Sequence, residues 1–167
     1  MEQIDIRPAG FPDDTPTLRQ LFREYADWLA VDLDFQDFEA ELAALPGKYA
    51  PPTGIALLAE RADNLTLGCV AMRPLNEGTC EMKRLYLRPE ARGTGLGRKL
   101  AAHVIEAARQ AGYRRMVLDT LDHMQDALRL YDRLGFRPIA PYYHNPIPGA
   151  VYLGLNLPPS HEPHRTR

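Results

Sequence analysis

Between residues 79 and 112 the sequence changes its period. "TCEMKRLYL" reads as a strand, "RGTGLGRK" at 92–99 sets glycine at 93, 95 and 97, and Leu96, Leu100, Val104 and Ala108 then recur at helical spacing until Gly112. A strand, a glycine-rich turn and a helix in that order restrict the chain to folds in which helices pack back on a sheet. One glycine is enough to turn a chain. Three in alternation describe main chain that something approaches closely, and the flanking Arg92, Arg98 and Lys99 suit an anion. The helix start adds N–H groups without partners and roughly half a positive charge.

Two common phosphate sites are excluded by spacing. A P-loop needs Gly-Lys followed by Ser or Thr, whereas Gly97 is followed by Arg98, Lys99 and Leu100. A dinucleotide fingerprint needs G-x-G-x-x-G and opens a first strand–helix–strand unit, whereas this turn follows a run of meandering strands.

The rest of the chain supplies that sheet. Ile4 and Ile6 alternate in a first strand, and Pro16, Leu18, Leu21, Phe22, Tyr25 and Leu29 mark a helix capped by Asp14 or Thr15. Phe35, Phe38, Leu42 and Leu45 predict a second helix ending at Pro46-Gly47. "GIALLAER" and "LTLGCVAMR" predict a hairpin, "RMVLDT" a buried strand, and Ala127, Leu130, Tyr131 and Leu134 a last helix stopped by Gly135. Short strands near "FRPIA" and "AVYLGLNL" complete an α/β (α+β) domain over 1–157: a mixed sheet of about seven strands flanked by about four helices. Residues 158–167 read as a flexible tail.

At 167 residues the chain can bury a core without disulfides or a structural metal. Cys69 and Cys80 read as free thiols in a reducing cytoplasm, and Cys80 as a small apolar filler. No apolar run reaches membrane-spanning length, and a net charge of −2 argues against general nucleic-acid binding. The charge is uneven. Residues 1–60 hold twelve acidic against four basic side chains, and residues 61–167 ten against sixteen. One half suits a cationic ligand and the other an anionic one.

Arg92-x-x-Gly95-x-Gly97 resembles the pyrophosphate turn of the GNAT superfamily of acetyl-coenzyme A dependent N-acetyltransferases. Tyr131, thirty-four residues after Gly97, begins a Y-x-x-x-G-F signature with Gly135-Phe136 that is similar to the family's fourth helix and following strand. The element order resembles that fold from residue 3 to 157. Met124 is a departure, standing where the family usually carries the asparagine that bonds the pantetheine arm.

The resemblance implies that acetyl-CoA is the cosubstrate, with no metal. Leu85, Tyr86 and Leu87 would lie beside pantetheine, and Arg92, Gly93, Thr94, Gly95, Leu96, Gly97 and Arg98 around the pyrophosphate. Tyr131 would contact the thioester as general acid, the Leu85 N–H would hold the oxyanion, and Glu81 would act as base directly or through water. Period-2 alternation puts Glu81 on one face with Lys83, Leu85 and Leu87. His123 and His144 are alternative bases, and His161 and His164 belong to the tail. The acceptor wall would draw on Tyr25, Trp28, Asp32, Asp34, Tyr142, Tyr143, His144 and Asn145, whose aromatics and carboxylates suit a small cationic amine. The expected activity is direct acetyl transfer to that amine, and an idle acyl-CoA sensor is the alternative. The expected setting is cytoplasmic, without nucleic acid or membrane, and compatible with a homodimer.

Overall fold

The computed structural model describes residues 3–159. Its elements follow the order β1 (Ile4–Pro8), α1 (Thr15–Leu29), α2 (Phe38–Ala43), β2 (Ile55–Arg61), β3 (Thr66–Asn76), β4 (Thr79–Leu87), α3 (Leu96–Gln110), β5 (Arg115–Leu121), α4 (Gln125–Leu134), β6 (Arg137–Pro138) and β7 (Ala150–Asn156). All seven strands join one mixed sheet in the order β1-β2-β3-β4-β5-β7-β6. The α/β class, the seven strands and the four helices agree with the sequence. The tail's His161 and His164 lie outside the described residues.

Alternation along the central strands divides the core in two. Val70, Met72, Cys80 and Met116 pack with Leu100 and Val104 of α3 and with Tyr131 of α4. Cys69, Ala71, Leu58 and Tyr86 face the other way, against Leu18, Leu21 and Phe22 of α1 and Leu42 of α2. Each fully buried leucine or phenylalanine of these layers contributes about 1.5–3 kcal/mol. Cys69 and Cys80 are both buried and unbridged.

Two local elements differ from the sequence expectation. The second helix is broken: a single 3-10 turn at Asp34–Gln36 gives way to α2 at Asp37, whose φ of 54° interrupts the helical path. Asp14 occupies the N-cap position of α1 without capping it, because its carboxylate accepts from both terminal nitrogens of Arg7, at 2.7 and 2.9 Å, and from the Gly10 N–H.

One feature of the sheet sets the rest. β4 and β5 run parallel, and they pair only from Thr79↔Arg115 to Glu81↔Val117. Both strands continue beyond that point without pairing with each other, and a cleft opens between them. Among the described residues no helix is long and apolar enough to cross a membrane.

Candidate active site

β4 bulges where it leaves β5. Its register to β3 jumps from Lys83↔Ala71 to Tyr86↔Cys69, so Arg84 and Leu85 together oppose Val70. Arg84 takes a φ of 63°, and its guanidinium is held by Glu41 at 3.1 and 3.2 Å and by the Gln36 carbonyl at 2.9 Å. The extra residue reverses the strand's parity. Glu81 and Lys83 share a face toward α1 and α2, as alternation requires, but Leu85 and Leu87 pack on the α3 side with Cys80 and Met82. Counting by two along β4 therefore misplaces both leucines.

The cleft is a cavity of about 260 Å³ running from the glycine turn to the middle of the sheet. Gly93, Gly97 and Leu87 line one end, and Leu85, Asp119 and Tyr131 the other. Gly93 and Gly95 have φ of 76° and 83°, and a Cβ on either would meet nothing within 4 Å. Their glycine identity answers to backbone conformation, which leaves the adjoining space open. The first helical bond of α3 at this end runs from Lys99 N–H to the Gly95 carbonyl, so the amides of Leu96, Gly97 and Arg98 precede the intrahelical ladder. Arg98 and Lys99 are exposed beside them. These groups fit a bound pyrophosphate, and the apolar cleft beyond fits a flexible thioester arm.

Not every residue of the turn presents its side chain. Leu96 is buried in the core, and the Thr94 hydroxyl donates to the Ala91 carbonyl at 2.6 Å. Arg92 donates to the Leu87 carbonyl and stacks over Trp28 at 5.0 Å and Tyr86 at 5.8 Å. Tyr86 turns its ring toward α1, against Tyr25 and Trp28, so only its backbone faces β5. Met124 borders the cavity just before α4.

Tyr131 is 7% exposed, and its ring packs edge-on against Phe136. Its hydroxyl has no hydrogen-bond partner among the described residues. Burial, with lesser contributions from Tyr25 and Asp119, raises its pKa well above that of an ordinary tyrosine. The residue is a neutral donor facing the cleft.

A second cavity, of about 480 Å³, lies on the α1/α2 face and shares Gln36 and Lys83 with the first. Glu81 belongs to its wall. The carboxylate accepts from Arg73 Nε at 2.9 Å and from the Tyr142 hydroxyl at 2.6 Å. Burial alone would raise its pKa, but the charges of Lys83 and Arg73 and these two bonds hold it below the usual range. Tyr142 and Tyr143 stand over the cavity, braced edge-on by Tyr152.

Asp32 and Asp34 lie elsewhere. Both are exposed on the loop after α1, where Asp32 accepts from the Asp34 N–H, and neither borders these cavities. His123 and His144 are exposed as well. In place of the two aspartates the structure brings in Asp119, which accepts from the Tyr143 hydroxyl and from Asn145 Nδ2 at 2.8 Å. Asp119 lines the first cavity, Arg73 the second, and Lys83 and Gln36 both. A carboxylate inside the apolar run "RMVLDT" was the sequence signal for Asp119, and "MKR" within a buried strand the signal for Lys83.

Among known proteins, the model of the acetyltransferase (GNAT) family matches residues 15–136. A Schizosaccharomyces pombe protein, named as an uncharacterized N-acetyltransferase, is 46% identical over 92% of this chain and 95% of its own. The crystal structure of a Klebsiella pneumoniae protein, provisionally named an acyl-CoA N-acyltransferase, superposes with a TM-score of 0.74 at 29% identity, covering 93% of this chain and 98% of that one. A Salmonella typhimurium structure containing acetyl-CoA shares the fold, with a TM-score of 0.71 at 22% identity over 95% of each chain. Cleft, glycine turn and buried tyrosine thus occur in a chain that belongs to the GNAT family of N-acetyltransferases.

Proposed function

We propose that the protein transfers acetyl from acetyl-CoA directly to a small primary amine, which reaches the site as an ammonium cation. The observation that carries this reading is the unengaged Tyr131 hydroxyl in a cleft that begins at the glycine turn. In this reading the amides of 93–98, with Arg98 and Lys99, bind the pyrophosphate. Leu85 lies where β4 has left β5 and the β3 register skips, so its N–H can hold the oxyanion that forms on the attacked carbonyl. Tyr131 gives its proton to the departing thiolate.

An amine with pKa near 10.4 is almost entirely protonated at neutral pH, so it must lose a proton before attack. Glu81 is the base, acting through water, because both of its oxygens already accept bonds from Arg73 and Tyr142. The two free thiols and the need for acetyl-CoA support a cytoplasmic setting.

The test is Tyr131→Phe. Single-turnover acetyl transfer should slow by about 10²–10⁴-fold, the usual weight of a proton donor, while calorimetry shows acetyl-CoA affinity within about twofold of the native protein. An unchanged rate under conditions where chemistry limits turnover would remove Tyr131 from the reaction. Native protein that binds acetyl-CoA yet acetylates no amine would be a sensor.

A further inference from the structure

Lys83 is 5% exposed, and its ammonium has one hydrogen-bond partner among the described residues, the Gln36 side-chain carbonyl at 3.0 Å. Arg84 donates to that same oxygen at 2.9 Å. Among the described residues no carboxylate stands within ion-pair distance of Lys83, and those nearby are engaged elsewhere. Glu81 takes Arg73 and Tyr142, Glu41 takes Arg84 and the Tyr49 hydroxyl, and Asp119 takes Tyr143 and Asn145. A buried cation without a paired anion is costly, and two of the three ammonium protons are unused. Lys83 also borders both cavities, at the join where acceptor and thioester would meet.

We infer that Lys83 binds a carboxylate of the acceptor, which makes the substrate an amino acid or a similar small amino carboxylate rather than a plain amine or polyamine. The inference rests on the transferase reading above and narrows its substrate. The wall of the second cavity is balanced to match. Asp37, Glu41 and Glu81 oppose Lys48, Arg73 and Lys83, which suits a zwitterion better than a polycation. Burial and the neighbouring Arg84 lower the Lys83 pKa to about 8, against the opposing pull of Glu81 and Asp119, so a bound anion would raise it. The groups around it are Arg73 on β3, Glu81 and Arg84 on β4, Asp119 on β5, Gln36 ahead of α2, and Tyr142 and Tyr143 over the cavity.

The experiment uses the twenty standard amino acids, each as the free acid and as its carboxamide, with acetyl-CoA as donor. At least one acid should exceed its carboxamide tenfold or more in kcat/KM, chiefly through KM, and in Lys83→Met that ratio should fall to about one. Binding is read without turnover from the Lys83 ε-carbon resonance of the native protein. The preferred acid should raise its titration midpoint by at least one pH unit, and the carboxamide should leave it in place. Equal use of acids and carboxamides, or no acid that moves the midpoint, overturns the inference. Calorimetric acetyl-CoA binding, measured in parallel, separates the two readings: if it persists the transferase survives that result, and if it is absent both fall.

Discussion

Glu81 is a buried carboxylate whose ionised form the sheet favours, and stability should report it. Its folded pKa lies below the ordinary carboxylate value of about 4.3, so its ionised form stabilises the protein fully above that pH and progressively less as acid protonates it. Glu81→Gln should therefore lower the urea midpoint at pH 7, and the gap from the native protein should narrow toward pH 3.5. Parallel curves across that range would show that the carboxylate's charge is unimportant to the fold. Asp14 and Glu24, each held low by an arginine, keep both proteins acid-sensitive. Glu81 and Tyr131 were candidates through the family resemblance, Tyr131 by its Y-x-x-x-G-F signature and Glu81 by its place in the strand before the glycine turn. Lys83 and Asp119 stayed hidden, since a charge in an apolar strand has meaning only once the facing elements are known. Asp32 and Asp34 misled for the converse reason: polar and close to the site along the chain, they turn outward.

At the scale of elements, β4 and α3 shape the cleft. The alternation of β4 was legible, and its reversal at Arg84 was not. A bulge depends on the register of two strands and on a partner such as Glu41 for the displaced side chain. The second helix failed similarly, as Phe38 and Leu42 kept their apolar spacing while Asp37 broke the backbone between them and the turn before. In the glycine turn positive φ accounts for Gly93 and Gly95, a cause the spacing alone did not show, and its three glycines differ in what they test. Gly97 has ordinary helical backbone, and a Cβ there would sit 3.5 Å from Leu87 and 3.8 Å from Leu130, at the cavity wall. Gly97→Val should therefore fold with a thermal midpoint within a few degrees of the native one while acetyl-CoA affinity falls at least tenfold, about 1.4 kcal/mol. Gly95→Val would add strain at φ 83° and confuse the two effects. Native affinity in folded Gly97→Val would put the coenzyme elsewhere.

On the scale of the molecule, helices on both faces carry a sheet that comes apart along one seam. α1 and α2 close one side and α3 and α4 the other, and the β4–β5 divergence leaves a passage bordered by elements from both. The charge difference between the two halves of the chain was visible in the sequence. Its consequence was not, because folding places part of the acidic half on outer loops and brings Lys83, Arg73 and Arg84 inward. What occupies the passage decides the chemistry. The most direct test is a crystal structure of the protein with acetyl-CoA. It should show the pyrophosphate on the amides of 93–98, pantetheine between β4 and β5, the acetyl oxygen within hydrogen-bond distance of the Leu85 N–H, and the sulfur within reach of the Tyr131 hydroxyl. A coenzyme bound outside the seam, or a thioester remote from both Leu85 and Tyr131, would contradict it.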